Sequence, residues 1–372
     1  MNTPTSKHSD SLTDASLLLI KGEIQRRATE FGFDRMGVSQ TDPGPHRQYL
    51  DDWLSEGFAG EMTYLSRYRD LRVDPAALFP GALRVLSFKM DYLPEQREAM
   101  WRVLERPSSA YIARYALGRD YHKLIRTRLA RLMENISQHY GPFRYRVFSD
   151  SAPILEKAYA AQSGLGWIGK HTNLIDRERG SFFFLGDVLT DLPLPVDQPA
   201  SAHCGSCSAC LDICPTQAII APFLLDARRC IAYLTIELKG SIPLELRTAI
   251  GNRIYGCDDC QLICPWNRYA RITLEPDFLA RKGLESAPLT ALFSWDEATF
   301  MAITEGSAIR RIGHQSWLRN VAVALGNGPP SPLAIEALKT RQDDPSVIVR
   351  EHTRWALDQL ETAVDGRSLK RT

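Results

Sequence analysis

Apolar residues recur at helical spacing in "SLLLIKGEIQRRATEFGF", at Leu17, Ile20, Ile24, Ala28 and Phe31, which predicts an amphipathic helix. "DRMGVS" and "ALRVLSFKMDY" then read as strands. "YHKLIRTRLARLMENISQHY" predicts a long helix with Leu124, Leu129 and Leu132 on or near one face. "FRYRVFSD" is a strand that stops at Asp150, and "APILEKAYAAQSG" is the helix after it, closed by Gly164. "GSFFFLGDVLTDL" is a nearly continuous apolar run, the pattern of a strand covered on both faces. Together these elements predict an α/β or α+β domain over residues 1–198.

A proline-rich link, "DLPLPVDQPASAH", leads into a cysteine segment expected over 199–270. The remainder, 271–372, turns helical. "WLRNVAVALGN", "SPLAIEALKTRQ" and "DPSVIVREHTRWALDQL" resemble one or two units of a HEAT-type repeat, with an Asp-Pro that starts a helix after a turn. The tail "DGRSLKRT" is expected to be disordered. The fold class predicted is α+β, with a helical C-terminal region.

Composition narrows the class. At 372 residues, 44% hydrophobic and 24% charged, the chain has the balance of a globular protein with a full core. The first residues, "MNTPTSKHSDSLTD", have neither a basic nor an apolar segment of the export type, and no run is apolar enough for a membrane helix. A cytoplasmic protein is expected. Net charge is +1, which excludes long-range attraction of the whole molecule to nucleic acid. The charge is uneven, however. Eight basic residues between Arg102 and Arg131 (Arg102, Arg106, Arg114, Arg119, Lys123, Arg126, Arg128, Arg131) face two acidic ones, Glu105 and Asp120. Such a stretch either follows a phosphate backbone or is a solvated helix face.

All eight cysteines fall between Cys204 and Cys264. In a cytoplasmic chain, clustered thiols read as metal ligands before disulfides. The first run is Cys204-x2-Cys207-x2-Cys210-x3-Cys214-Pro215. In this bacterial ferredoxin pattern three thiolates hold one [4Fe–4S] cluster and the fourth reaches a second. The other run, Cys257-x2-Cys260-x3-Cys264-Pro265, lacks a leading cysteine, which Cys230 supplies after a 26-residue insertion. Crossed assignment gives Cys204, Cys207, Cys210 and Cys264 to one cluster, and Cys214, Cys230, Cys257 and Cys260 to the other. Zinc ribbons also use CxxC pairs, but they require neither the third cysteine two residues on nor the Cys-Pro ending of both halves. Two clusters move electrons singly. A pure carrier needs less chain than this, so the clusters are expected to feed a site in the N-terminal domain.

Asp150 stands at a strand-to-helix turn, where a partly buried carboxylic acid can donate a proton or simply cap the helix beginning near Pro153. "GLGWIGKH" has three glycines in six residues, so its backbone is expected to approach something large. It matches no Walker A or Rossmann fingerprint. Lys170 and His171 are either ligand contacts or ordinary surface and supporting residues.

Several of these stretches, "ARYALGRDYHKLIRTRL", "SDSAPILEKAYAAQSGLGWIGKHTNLI", "GNRIYGCDDCQLICPWNRY" and "TEGSAIRRIGHQSWLRNVAVALGN", closely resemble the epoxyqueuosine reductase family, which has Ser where this chain has Ala113. The resemblance runs from about Ser16 to Leu360. It implies a cobalamin-binding α/β domain like that of reductive dehalogenases, then the two-[4Fe–4S] ferredoxin module, then the HEAT-like region. It implies reduction of epoxyqueuosine to queuosine at the wobble position of tRNA, with two electrons and two protons removing the epoxide oxygen as water. By the same resemblance Asp150 is the proton donor and a cofactor contact, Arg72 meets the corrin, and Ala113 and Leu174 touch it largely through backbone. The cobalamin is expected base-off, with no histidine of the chain as lower ligand. The anticodon stem-loop of tRNA is the expected partner, held by the Arg102–Arg131 stretch and by Arg310, Arg311, His314 and Arg319. An external donor such as a flavodoxin or ferredoxin and a monomeric state complete the expectation. The alternatives are a ferredoxin-type electron carrier, a cytoplasmic reductive dehalogenase, and a tRNA-binding module whose clusters are structural.

Overall fold

The computed structural model describes residues 13–368. The chain forms two compact units. Among the described residues the first comprises 13–92, Tyr121–Ser208 and Pro265–Arg271, and the second Leu93–Asp120, Ala209–Cys264 and 272–368.

Strands β1 (Arg35–Ser39), β2 (Arg84–Asp91), β3 (Tyr145–Phe148) and β4 (Phe183–Thr190) build the first unit's sheet. Its order is β1–β2–β4–β3, and every pairing is antiparallel. As its apolar run predicts, β4 is an interior strand, buried at every position but Leu185. Helix α1 (Asp14–Glu30) buries Leu17, Ile20, Ile24 and Ala28, and Thr13 caps it by accepting from the Ser16 N–H. Phe31 was expected on that face. It instead ends the helix, because the chain turns at Gly32 with φ 84°. Helix α2 (Tyr121–Tyr140) buries Ile125, Leu129, Leu132, Met133 and Ile136. Helix α3 (Glu156–Gln162) starts three residues later than Pro153 and stops as expected at Gly164, which adopts φ 76°. The buried Lys89 ammonium pairs with Asp34 at 3.1 Å and with Asp176, and Arg179 pairs with Asp91 at 2.6 Å. This network anchors the turn before β4, its buried charges compensated as burial requires.

The second unit draws in 93–120 because Tyr111–Ile112 pairs in parallel with Arg253–Tyr255, a long-range contact no local pattern announces. Helices α4 (Leu244–Ile250), α5 (Gly313–Gly326), α6 (Pro332–Lys339) and α7 (Val347–Ser368) belong to this unit. Every residue of α5 from Ser316 to Gly326 is buried, so this helix is the unit's core element. Trp317 stacks on Trp295 with centroids 5.2 Å apart. A Cβ on Gly326 would lie 2.8 Å from the Ala356 Cα, so glycine here sets how closely α5 and α7 approach. Gly326→Val is expected to cost about 1–3 kcal/mol by overpacking, read as a lower denaturant midpoint with an unchanged slope. The tail expected to be disordered is helical as far as Ser368, and its last four residues lie outside the described residues. So does most of the polar N-terminal stretch.

Candidate active site and cysteine centres

Beyond β3 the chain turns at Asp150, which adopts φ 54°. Non-glycine residues in this left-handed region are uncommon and persist where their surroundings hold them. Glu156 does the holding: its Oε1 accepts from the Asp150 backbone N–H at 2.5 Å. Helix α3 begins only at Glu156, and its N-cap residue Leu155 makes no side-chain cap bond. Asp150 therefore does not cap the helix, and the capping alternative is set aside. Its carboxylate Oδ2 instead meets His122 Nε2 at 2.8 Å. The Asp150 side chain is 51% exposed and that of His122 18%. Tyr121 stacks on His122 at 4.2 Å and on Phe184 at 3.8 Å, which fixes the imidazole at the N-terminal turn of α2.

Behind this pair lie two further acids. Burial, then the carboxylates of Asp187 and Asp150, push the half-buried Glu156 well above its ordinary carboxyl range. Asp187, in the middle of β4, is fully buried and pushed up to about 7 by burial. Its Oδ1 accepts from Ser87 Oγ at 2.5 Å, while its Oδ2 has no partner. Both acids hold their protons more tightly in the fold than in the unfolded chain. The stability linked to Asp187 is complete below the unfolded carboxylate pKa, about 4, and is lost as pH rises to about 7. Asp187→Asn is expected to flatten that decline between pH 4 and 7; equal slopes in the two proteins would deny Asp187 its proton.

Arg72 lies within electrostatic reach of Asp150 and Glu156 and over the Tyr64 ring at 5.9 Å. Burial pulls its pKa down despite those carboxylates, and its Nε has no hydrogen-bond partner. Leu174 is buried in a hairpin of Trp167–Ile168 with Leu174–Ile175. The glycines before it serve that hairpin: a Cβ on Gly166 would lie 2.2 Å from the Ile175 carbonyl, and one on Gly169 2.4 Å from Ile175 Cδ1. The close approach expected of this segment is thus to its own chain. His171 is 97% buried and held neutral, its pKa lowered to about 4 chiefly by burial. Its Nδ1 accepts from the Asn173 N–H at 3.1 Å, leaving Nε2 as a buried donor with no partner. Ala113 belongs to the second unit, where its N–H donates to the Tyr255 carbonyl at 2.8 Å.

None of the eight cysteines is joined in a disulfide. Cys214, Cys230, Cys257 and Cys260 lie together in the second unit: Cys230 feels Cys214, Cys260 feels both, and Cys257 feels Cys260. Burial foremost pushes the Cys230, Cys257 and Cys260 thiols up. A positively charged iron core would reverse that and deprotonate them. Cys214 Sγ accepts from the Ala218 N–H at 3.2 Å, and in the first unit Cys204 Sγ accepts from Trp167 Nε1–H at 3.5 Å. N–H donors to sulfur are a normal tuning contact of cluster thiolates. Among the described residues, no three His, Cys, Asp or Glu side chains converge on a single-ion site.

The basic residues divide. Arg102, Arg106, Lys123, Arg126, Arg131 and Arg310 are exposed. Arg119 pairs with Asp277 at 2.8 Å and Arg311 with Glu237 at 2.5 Å. His314 Nε2 bonds the Trp295 carbonyl at 2.8 Å. Arg114 and Arg319 are fully buried and do not reach the surface. Arg114 packs over Tyr111 at 4.5 Å beside Asp258, and Arg319 donates to the carbonyls of Leu234, Leu238 and Gly240. Sequence reasoning missed His122 and Glu156. Neither stands at a motif spacing from Asp150, and only the turn between β3 and α3 brings them to it.

Residues 203–267 match the 4Fe-4S double cluster binding domain, which places the chain among redox proteins carrying two [4Fe–4S] clusters. Residues 72–151 match the epoxyqueuosine reductase QueG family, DUF1730. An epoxyqueuosine reductase of Xanthomonas campestris is 58% identical over 90% of this chain and 95% of its own. The crystal structure of an epoxyqueuosine reductase with an epoxyqueuosine-modified tRNA-Tyr stem loop is 28% identical, covers 94% of both chains and superposes with a TM-score of 0.82. One from Bacillus subtilis, with an aspartate catalytic loop swung out of its active site, is 27% identical, with a TM-score of 0.82 over 94% of this chain and 95% of that one. The chain is an oxidoreductase and belongs to the epoxyqueuosine reductase family.

Proposed function

We propose that this protein reduces epoxyqueuosine to queuosine at the wobble position of tRNA anticodons, with Asp150 as proton donor to the leaving epoxide oxygen. The observation that carries this reading is the setting of Asp150. It is held in a left-handed turn by Glu156, bonded to His122 and placed near the buried Arg72. A catalytic aspartate loop is also what the Bacillus subtilis relative displays. The hydrogen bond between Asp150 and His122 is close to solvent, so a proton given up there is replaceable after each turnover. An exposed turn carrying the acid lets a large RNA substrate reach it, which a buried acid would not.

The two clusters are assigned Cys204, Cys207, Cys210 and Cys264, and Cys214, Cys230, Cys257 and Cys260. Arg72, Ala113, Asp150 and Leu174 are assigned to cobalamin. Arg72 Nε and His171 Nε2, buried donors without partners, fit a cofactor rich in amide and phosphate oxygens. When bound there, cobalamin would supply the low-potential chemistry that the epoxide needs, with the clusters as its source of electrons. His171 Nδ1 accepts from the Asn173 N–H, so this side chain offers a donor and not a lone pair at Nε2. The exposed Arg and Lys side chains of 102–131, with Arg310, would position the anticodon stem-loop through phosphates. No helix among the described residues is long and apolar enough to cross a membrane, and a cytoplasmic setting suits a tRNA substrate.

Nucleoside mass spectrometry tests this reading. Epoxyqueuosine tRNA incubated anaerobically with protein, cobalamin and a strong reductant should lose one oxygen mass. An unchanged nucleoside, with clusters and corrin bound, would move the proposal to halogenated substrates. An unchanged nucleoside with no corrin bound would leave an electron carrier.

A further inference from the structure

The loop carrying Cys204 and Cys207 belongs to the first unit. Cys207 is exposed and Cys204 partly so, whereas Cys210 and Cys264 are buried. Around this loop three stretches of the first unit meet. Lys170 Nζ donates to the carbonyls of Gly205 at 2.7 Å and Cys207 at 2.8 Å, fastening the loop from the 166–173 stretch. Trp167, whose indole N–H points at Cys204 Sγ, has the His203 and Trp266 rings each 5.1 Å away. Tyr269 follows at 6.2 Å from Trp266, and Arg268 lies over its ring at 4.6 Å.

Charge on this face is one-sided. The stretches 166–173, 201–208 and 265–271 contain Lys170, Arg268 and Arg271 and not one Asp or Glu, in a molecule whose net charge is only +1. Arg268 and Arg271 are exposed, as are His203 and Tyr269. The adjoining turn adds exposed Arg177 and Glu178, which cancel.

We propose that this aromatic and basic face receives an acidic one-electron carrier protein, which delivers electrons through the Cys204–Cys207 loop. Each transfer takes one electron from the carrier's reduced flavin and lowers a cluster from its 2+ to its 1+ state. No covalent bond changes and no proton is required at this face. Two transfers supply the two electrons that removing one oxygen as water consumes. The proposal rests on the reduction argued above for its demand for electrons, and adds where they enter. Redox encounters of this kind use small, weakly held interfaces, steered by opposite charge and sensitive to salt. The indole N–H on Cys204 Sγ favours the more negative, reduced cluster.

The test uses the holoprotein with both clusters, mixed anaerobically in stopped flow with a reduced acidic flavodoxin or with reduced methyl viologen. Cluster bleaching and equilibrium flavodoxin binding are followed in the wild type and in the Arg268→Glu/Arg271→Glu variant. Flavodoxin should reduce the wild type at least tenfold more slowly at about 0.2 M salt than at about 0.02 M. At low salt the variant should be at least tenfold slower than the wild type and bind flavodoxin correspondingly less tightly. Methyl viologen, a small dication with no docking requirement, should reduce both proteins within twofold. Equal slowing with both donors, or an unchanged flavodoxin rate, overturns the proposal. A variant that keeps its flavodoxin rate but loses affinity for an anticodon stem-loop RNA assigns the face to RNA instead. Clusters that methyl viologen cannot reduce even in the wild type would overturn the proposed reduction itself, a separate failure.

Discussion

Asp150→Asn is expected to lower epoxyqueuosine reduction by about 10²–10⁴-fold, the usual worth of a positioned general acid, while leaving cluster absorbance and unfolding midpoint close to wild type. The substitution isolates the proton. Asparagine has the same shape, tolerates the left-handed backbone that Asp150 adopts at φ 54°, and keeps an oxygen able to accept from His122. Its N–H still reaches Glu156 Oε1, so the turn stays in place. What it lacks is an acidic proton. Activity within fivefold of wild type, by nucleoside mass spectrometry, would mean that the proton comes from another group. His122→Gln is expected to change the pH dependence of kcat/KM more than its maximum, because His122 acts through the Asp150 carboxylate.

Arg319→Met is expected to have the largest structural effect of any single substitution considered. Arg319 is 0% exposed. Its Nη1 donates to Leu238 O at 2.8 Å and Gly240 O at 2.7 Å, and its Nη2 to Leu234 O at 2.8 Å. Beside it, Asn320 Nδ2 donates to the carbonyls of Thr235 and Ile254 at 2.8 and 2.9 Å. Of these carbonyls, Leu234 and Thr235 belong to the π-helical turn Tyr233–Glu237, which follows Cys230, Leu238 and Gly240 to the chain just after it, and Ile254 to the strand before Cys257. A π turn leaves backbone groups out of the regular ladder, and α5 satisfies them. Methionine keeps the volume but takes the donors from two buried carbonyls, Leu234 and Leu238, each costing about 1–3 kcal/mol, and from the part-buried Gly240 carbonyl. The expected outcome is a total loss of roughly 3 kcal/mol or more, with about half of the iron released as one of the two sites loosens. Full iron content and an unchanged urea midpoint would show that Arg319 does not support the fold at this turn.

The burial of Arg319 shows where sequence reasoning reaches its limit. "IRRIGHQSWLRN" reads as a basic segment, yet Arg310 is exposed, Arg311 is paired and Arg319 is buried. One-dimensional charge cannot tell a phosphate contact from a buried backbone support, because both need a cation with several donors. The same limit applies to "GLGWIGKH". Glycines permit close approach, but the sequence does not say to what, and here Ile175 in the same hairpin fills the space. The Asp150 turn was likewise open in the sequence, and its backbone angle with the start of α3 at Glu156 removed the helix cap as a reading.

What the sequence determined by itself was local and periodic. The spacing of α1 and α2, the apolar run of β4, the stop at Gly164 and the ferredoxin spacing of the cysteines depend on neighbours within a few residues, so they are written in order along the chain. The tertiary structure alone decided the pairing of Tyr111–Ile112 with Arg253–Tyr255, the meeting of His122 with Asp150 across 28 positions, and the burial of Asp187 beneath Glu156. Those contacts depend on which surfaces close over one another when the core is buried. That choice is made by the whole chain at once, and no short stretch records it.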